Sequence, residues 1–360
     1  MTSRATPEAI RSIMRRQHKD IAIFGESVHQ PEKLNILTFC THERYEQQLC
    51  KTGHNFYCMN YGKKWDTDYG EVPENYHILD NPPSSYIDID LILCHTACER
   101  LEISKRIRSD LNIPIILHTH VLPDIRSDVP SQIEQFKKIS ADIDQRSFIS
   151  KFNRGAWGCS ESNAEYIEHG VDCDFWMDFS EVQRDNVCLS VVNEWPNRDW
   201  CCGWELWKQT VGLKGGSGTQ IDPWQVDVPI RVFGKSPGLS VAAASIEHLR
   251  QIYHSSRIFY NTSLHSPVPT VLMEAMACGC AIVSTETCMI PEIIEHGKNG
   301  LMSNDPEELR GLLVKLLEDE DMAKELGKNA QETIRERYNL AHFVNNWNNL
   351  FYSTIEQYKE

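Results

Sequence analysis

Apolar residues fall into short continuous runs separated by polar, helix-forming stretches, a pattern that predicts parallel strands alternating with helices. In the first half Leu34–Cys40 (LNILTFC), Asn55–Asn60, Asp90–His95 (DLILCH) and Ile113–His118 (IPIILH) read as strands. Arg146–Ser150 and Ala156–Ser160 are shorter strand candidates, and Tyr45–Lys51, closed by Gly53, and Glu99–Leu111 read as helices. Near Asp185 the pattern restarts. Val187–Val192, Ile230–Phe233, Arg257–Tyr260 and Ala281–Ser284 are strands there; Trp204–Val211, Ser245–His254, Pro306–Glu318 and Asp321–Arg337 are helices. The alternation predicts an α/β protein of two doubly wound units with a hinge near residues 180–186. A last helix, Ala341–Gln357, carries Phe343, Trp347, Leu350, Phe351 and Ile355 at helical spacing. It either caps its own domain or crosses back to the first; periodicity alone does not choose.

The chain's 360 residues fit two domains of ordinary size. A formal net charge of -15 argues against extended nucleic acid as a partner, although a small anion needs only one or two cations and backbone amides. The thirteen cysteines form no paired metal-binding spacing. The N-terminus lacks the apolar stretch of a secretory signal, so a reducing cytoplasm is the expected setting. Glu8–Arg16 reads as a short basic helix or a plain arm, which leaves peripheral membrane contact open.

Three local motifs invite chemistry. GGSG within Gly212–Val226 lacks the Lys-Ser or Lys-Thr of a phosphate loop. Asp88-Ile89-Asp90 resembles a metal-binding DxD but opens a strand, where a structural turn is the simpler reading. The third motif is Pro269-Thr270-Val271-Leu272-Met273-Glu274. Thr270 reads as an N-cap, and the free backbone amides of the first turn, with the helix dipole, suit phosphate oxygens. The carboxylate of Glu274, one turn in, has two oxygens to accept both hydroxyls of a ribose. Its plainer alternative is a helix-stabilising charge. Strand ends add polar candidates: Thr41–Arg44, His95-Thr96, His118-Thr119-His120 and Ser150-Lys151.

Residues 257–300 resemble the donor-site signature of retaining GT-B glycosyltransferases, close to family 4 (glycosyl transferases group 1). The matching residues are Glu274-Ala275-Met276-Ala277, Gly279, Ile282-Val283-Ser284, Pro291-Glu292-Ile293-Ile294, Gly297 and Gly300, with a weaker match at His169-Gly170-Val171-Asp172. The resemblance implies two Rossmann-like domains facing a central cleft. An arm (1–30) would precede an acceptor domain (31–183), a donor domain (184–340) and the final helix (341–360). It implies transfer of a sugar from a nucleotide-sugar to a glycan, lipid or other hydroxyl acceptor, with retention, no metal and no resident cofactor. Glu274 would hold the donor ribose, with Val271 and Leu272 at the diphosphate. Arg198 and Lys235 are the candidate cations, although the family's usual lysine position is not occupied. Where the family has a second glutamate this chain has Ser266, which places donor identity, and activity itself, in question. Ser266, with His265 beside it, and His118 are the candidates near the reacting sugar. A nucleotide-sugar epimerase and a non-catalytic nucleotide-sugar or glycan-binding module are the rival readings.

Overall fold

The apolar runs become buried parallel strands because helices cover both faces of each sheet. The computed structural model describes residues 32–59, 65–67, 70–79, 88–95, 98–160, 164–177, 183–218 and 222–359. The expected arm 1–30 with its Glu8–Arg16 helix, Thr96, and part of the hinge segment 180–186 lie outside these residues.

The N-terminal sheet contains β1 (Asn35–Thr38), β2 (Asn55–Met59), β3 (Tyr76–Leu79), β4 (Leu91–His95), β5 (Ile115–Thr119), β6 (Gln145–Phe148) and β7 (Ala164–Tyr166). All pair in parallel, in the order β3-β2-β1-β4-β5-β6-β7. The C-terminal sheet contains β8 (Asp185–Val191), β9 (Ile230–Phe233), β10 (Ser256–Asn261), β11 (Ala281–Ser284) and β12 (Leu301–Met302). It is also parallel, in the order β12-β11-β10-β8-β9. Each sheet has a point where strand order reverses, between β1 and β4 and between β8 and β10. Ligands bind beyond the carboxyl ends of the strands at such points.

Three local outcomes differ from the sequence reading. Residues 156–160 are not a strand: Ser150 caps a helix over Lys151–Ala156, its hydroxyl accepting from Asn153 N at 3.0 Å, and the strand follows at β7. The run Ala156-Trp157 is too short for its period to separate the two structures. The edge strand β3 was missed because only Tyr76 of its four residues is buried. The helix Val129–Ile139 was also missed, although Asp128 caps it, Pro130 sits in its first turn, and Ile133, Phe136 and Ile139 share a face.

Asp88 and Asp90 serve the strand edge. Asp90 Oδ2 accepts from Asn35 N at 2.8 Å and the Asp88 carbonyl accepts from Asn35 Nδ2 at 2.8 Å. They lie at the amino ends of β1 and β4, opposite the ligand-binding edge.

The last helix, Leu340–Lys359, buries Phe343, Trp347, Leu350 and Phe351 in one cluster with Leu34, Ile36, Tyr45, Leu49 and Phe56. It therefore packs on the N-terminal domain. The two chain crossings between domains are joined to each other: Val171 N donates to Tyr338 O at 2.7 Å and Leu340 N to Val171 O at 3.0 Å. Gly170 makes this possible, since a Cβ there would stand 2.7 Å from Phe343 Cβ and 3.2 Å from Leu340 Cα. Asp172 accepts from Phe175 N at 3.1 Å and so starts the next helix, Cys173–Met177. The phrase His169-Gly170-Val171-Asp172 thus encodes the crossing.

Candidate donor site between the domains

The carboxyl ends of β8, β9 and β10 bring the candidate donor residues to one edge. The segment after β10 runs into the helix Thr270–Ala277, whose N-cap is Pro269 rather than Thr270. Proline has no side-chain acceptor, so Thr270 is the first helical residue instead of the cap. Thr270 is exposed and Val271 half-buried, which leaves this end of the helix facing outward with its dipole. Leu272 does not share the expected role: its side chain is fully buried and its amide donates to Pro269 O at 3.0 Å. Of the residues expected at the anion on this helix end, Thr270 and Val271 remain candidates.

Glu274 is buried one turn in, on a helix whose Leu272, Met273, Ala275 and Met276 are packed into the core. Its Oε1 accepts from Arg44 Nη1 at 3.0 Å and its Oε2 from the Tyr253 hydroxyl at 3.1 Å. Burial holds its carboxyl above the ordinary glutamate range, against the opposing pull of Arg44 and of the Tyr253 hydroxyl. A carboxylate in this setting is stable only with donors on both oxygens. Arg44 comes from the other domain, from the helix Glu43–Cys50 that follows β1, so the strand-end cluster Thr41–Arg44 does reach the cleft.

Arg198 and Lys235 are exposed and sit in neighbouring loops after β8 and β9. The loops are tied together: Glu194 N donates to Lys235 O at 2.9 Å, Lys235 N to Asn193 Oδ1 at 2.8 Å, and Trp195 N to Ser236 Oγ at 3.1 Å. Gly234, at φ +121, is needed where they meet, because a Cβ there would collide with the Val192 carbonyl. Glu194 is held at φ 53, a left-handed conformation that costs a non-glycine residue about 1 kcal/mol or more. The backbone thus ties the Lys235 loop to the turn that leads into Arg198, beyond the carboxyl ends of β8 and β9.

Ser266 is half-buried in the loop between β10 and the helix Thr270–Ala277. That loop is fastened from beneath: Thr285 Oγ1 donates to Ser263 O at 2.6 Å, and Leu264 N and His265 N donate to Cys201 O at 2.8 and 3.1 Å. His265 Nε2 lies 3.0 Å from Pro123 O of the N-terminal domain, so this ring contacts the opposite wall of the cleft. Arg126 lies over the Trp200 ring at 4.0 Å and Trp200 packs near His265 at 5.8 Å, extending the same interdomain contact.

His118 lies elsewhere than the reacting-sugar position expected for it. It is fully buried, with the Tyr45 hydroxyl 2.9 Å from Nε2 and Ser147 Oγ 2.7 Å from Nδ1, and its ring packs on Trp347 at 4.8 Å. Both nitrogens are used inside the domain, because the side chain at position 118 of β5 faces the returning C-terminal helix. His120, at the strand exit, is half-buried and its Nε2 lies 2.8 Å from His95 Nδ1. Desolvation lowers the pKa of the whole group, His95 to about 3, His169 to about 4, and His118 and His120 well below the usual value, so the rings are neutral. Among the described residues, no group of three or more His, Cys, Asp or Glu is arranged to hold a metal ion.

Two parallel Rossmann-like domains with this connectivity and a carboxyl-edge cleft match solved structures over nearly the whole chain. HepE of Anabaena in complex with UDP superimposes with a TM-score of 0.68 at 14% identity, covering 89% of this chain and 100% of that one. Sucrose-phosphate synthase of Thermosynechococcus elongatus gives 0.69 at 15% identity, covering 90% and 100%. The fold is that of the GT-B glycosyltransferases. Within this GT-B chain, residues 242–333 match the sequence model of the family described as Glycosyl transferases group 1. That segment contains β10, β11 and the Glu274 helix. Over 91 residues the chain is 31% identical to N-acetyl-alpha-D-glucosaminyl L-malate synthase of Bacillus anthracis, covering 25% of this chain and 24% of that protein. Over 104 residues it is 32% identical to alpha-maltose-1-phosphate synthase of Mycolicibacterium smegmatis, covering 27% of each. The chain therefore spans about a quarter of the length of these curated relatives. Arg44 and Tyr253, the two partners of Glu274, were not identified from sequence as its partners. Arg44 stood only as part of a strand-end cluster, and nothing local in the sequence links positions 44, 253 and 274.

Proposed function

We propose that this protein is a glycosyltransferase that moves a sugar from a nucleotide-sugar donor, held by the C-terminal domain, to a hydroxyl acceptor held by the N-terminal one. The observation that carries this reading is Glu274: a buried carboxylate one turn inside a helix whose outward end has no side-chain cap, at the carboxyl edge of a GT-B sheet. The ribose diol donates to the carboxylate, and the diphosphate lies against Thr270 and Val271 with Arg198 and Lys235 as counter-charges. These groups stabilise the charge that grows on the departing diphosphate, and this supports a reaction without a divalent metal or a resident cofactor. Retention of configuration follows the same reading, by front-face attack of the acceptor hydroxyl. A glycan, lipid or other small hydroxyl compound suits the acceptor side better than extended nucleic acid, given the acidic balance of the chain.

Among the described residues no helix is long and apolar enough to cross a membrane. The cysteines described are free thiols, which supports a reducing, cytoplasmic setting. That UDP occupies the similarly folded HepE favours uridine donors as the first to try.

A thermal-shift screen of UDP-, GDP- and ADP-sugars tests the reading. One donor raises the melting temperature by several degrees at saturation, since ligand at about 100 times its Kd adds about 2.7 kcal/mol. Glu274→Ala removes the shift. No response to any donor, or a response that Glu274→Ala leaves intact, refutes it. Ser266 favours one second reading, a module that binds a nucleotide-sugar without turning it over. It predicts the same thermal shift with neither transfer nor hydrolysis, so product analysis separates the two. Anomeric analysis of the product, and activity that survives chelators, decide retention and metal independence.

A further inference from the structure

Glu274 is held by partners from both domains, and the two have different chemistry. Tyr253 lies in its own domain, 21 residues before it; Arg44 lies 230 residues before it, across the cleft. The Arg44 side chain is 29% exposed and that of Glu274 10% exposed, so the guanidinium reaches in from the open side. It stands in the first turn of the helix after β1, at the reversal point of the N-terminal sheet, facing the reversal point of the other sheet.

A diol that donates to both carboxylate oxygens competes with Arg44 for Oε1. Release of Arg44 is unfavourable unless its guanidinium gains another anion in the same cleft. A nucleoside diphosphate carries both replacements, hydroxyls for Glu274 and phosphate oxygens for a planar guanidinium that binds them two at a time. We propose that Arg44 is an exchange residue between the domains: it holds Glu274 until a nucleoside diphosphate enters, then passes to the diphosphate and ties the N-terminal domain to the bound donor. This rests on the reading of Glu274 as the ribose clasp. Arg44 is then a donor-binding residue supplied by the acceptor domain, and domain closure is sensed through phosphate rather than through base or ribose.

Calorimetric titration of wild type, Arg44→Gln and Glu274→Ala with uridine and UDP, and with the adenosine and guanosine pairs, tests it. Arg44→Gln reduces the affinity gained from nucleoside to diphosphate at least about tenfold, while nucleoside affinity stays equal or tightens because its competitor is gone. Where a nucleoside binds too weakly to titrate, the salt dependence of the diphosphate decides: it is shallower in Arg44→Gln than in wild type. Arg44→Lys keeps the charge without the fork and recovers part of the gain. Equal weakening of nucleoside and diphosphate, no change in either, or an unchanged salt slope overturns the exchange. Glu274→Ala reports separately. If it leaves wild-type affinity intact, the ribose reading fails whatever Arg44→Gln does, and a wild type that binds none of the diphosphates refutes both. A melting curve for each variant shows that it is folded.

Discussion

At the scale of single residues, Glu274 is the group whose ionisation matters most. Burial raises its pKa, and Arg44 and the Tyr253 hydroxyl pull it back down. Its ionised form accepts on both oxygens; its protonated form gives up one acceptor. Donor affinity is therefore expected to fall as pH drops through this raised pKa, and Glu274→Gln should bind more weakly with that pH dependence removed. Tyr253→Phe takes away one of the two opposing forces. It should move the loss of affinity to higher pH and reduce stability by about 1.5–3 kcal/mol, the usual worth of a hydrogen bond to a charged group. Donor titrations from pH 5 to 8 on the three proteins check this. A shift to lower pH in Tyr253→Phe, or an unaltered profile in Glu274→Gln, contradicts the assignment of the titrating group.

Elements show how far local pattern reaches. The strands that feed the site, β8 to β11, were legible because each is a short, largely apolar stretch between polar segments, and β9, despite its exposed Arg231, and β11 fall on the very residues expected. The helix Thr270–Ala277 was legible from a proline, a glycine after its end and an acidic residue one turn in. Its cap was misplaced by one position, since a hydroxyl at Thr270 looks the same in sequence whether it precedes the helix or begins it. His118 went wrong for a different reason: residues of a buried strand point to two faces, and only the returning helix decides that position 118 faces Trp347 instead of the cleft. That helix carries a clear apolar stripe, but a stripe does not name the surface it covers. Trp347 is fully buried between Phe351, 5.0 Å away, and His118. Trp347→Ala is expected to cost about 3–5 kcal/mol, as large aromatic deletions in cores do. The loss should fall on the N-terminal domain, so hydrogen exchange should speed up in β1 and β5 more than in β8 to β11. Uniform acceleration in both sheets would mean that the helix serves the interface instead.

For the molecule as a whole, the N-terminal domain is built on neutral histidines, and this fixes its response to acid. His54, His95 and His118 are 3%, 0% and 0% exposed. Desolvation lowers His54 to about 4 and His95 to about 3, and drives His118 well down. In the unfolded chain each titrates near the ordinary value of about 6.5. Below that pH the unfolded state takes up protons that the folded state refuses, so stability is complete above about 6.5 and declines as pH falls toward the folded values. Between pH 6.5 and 5.5 one such histidine loses about 1 kcal/mol, and the three together about 3 kcal/mol. Glu274 and Glu292, whose pKa values are raised, contribute with the opposite sign, but His120 and His169 are lowered too and add to the three. Because the two crossings are bonded to each other at Val171 and Leu340, loss of the N-terminal domain also frees the helix that returns from the C-terminal one. Urea unfolding at pH 7.5, 6.5 and 5.5 is therefore expected to show a loss of about 1 kcal/mol over the first step and about three times that over the second. The tyrosine and tryptophan signals near the histidine group should lead the transition. Equal stability at pH 6.5 and 5.5 would mean that these rings gain solvent or a counter-charge on protonation, and that the histidine layer of the N-terminal domain opens without unfolding.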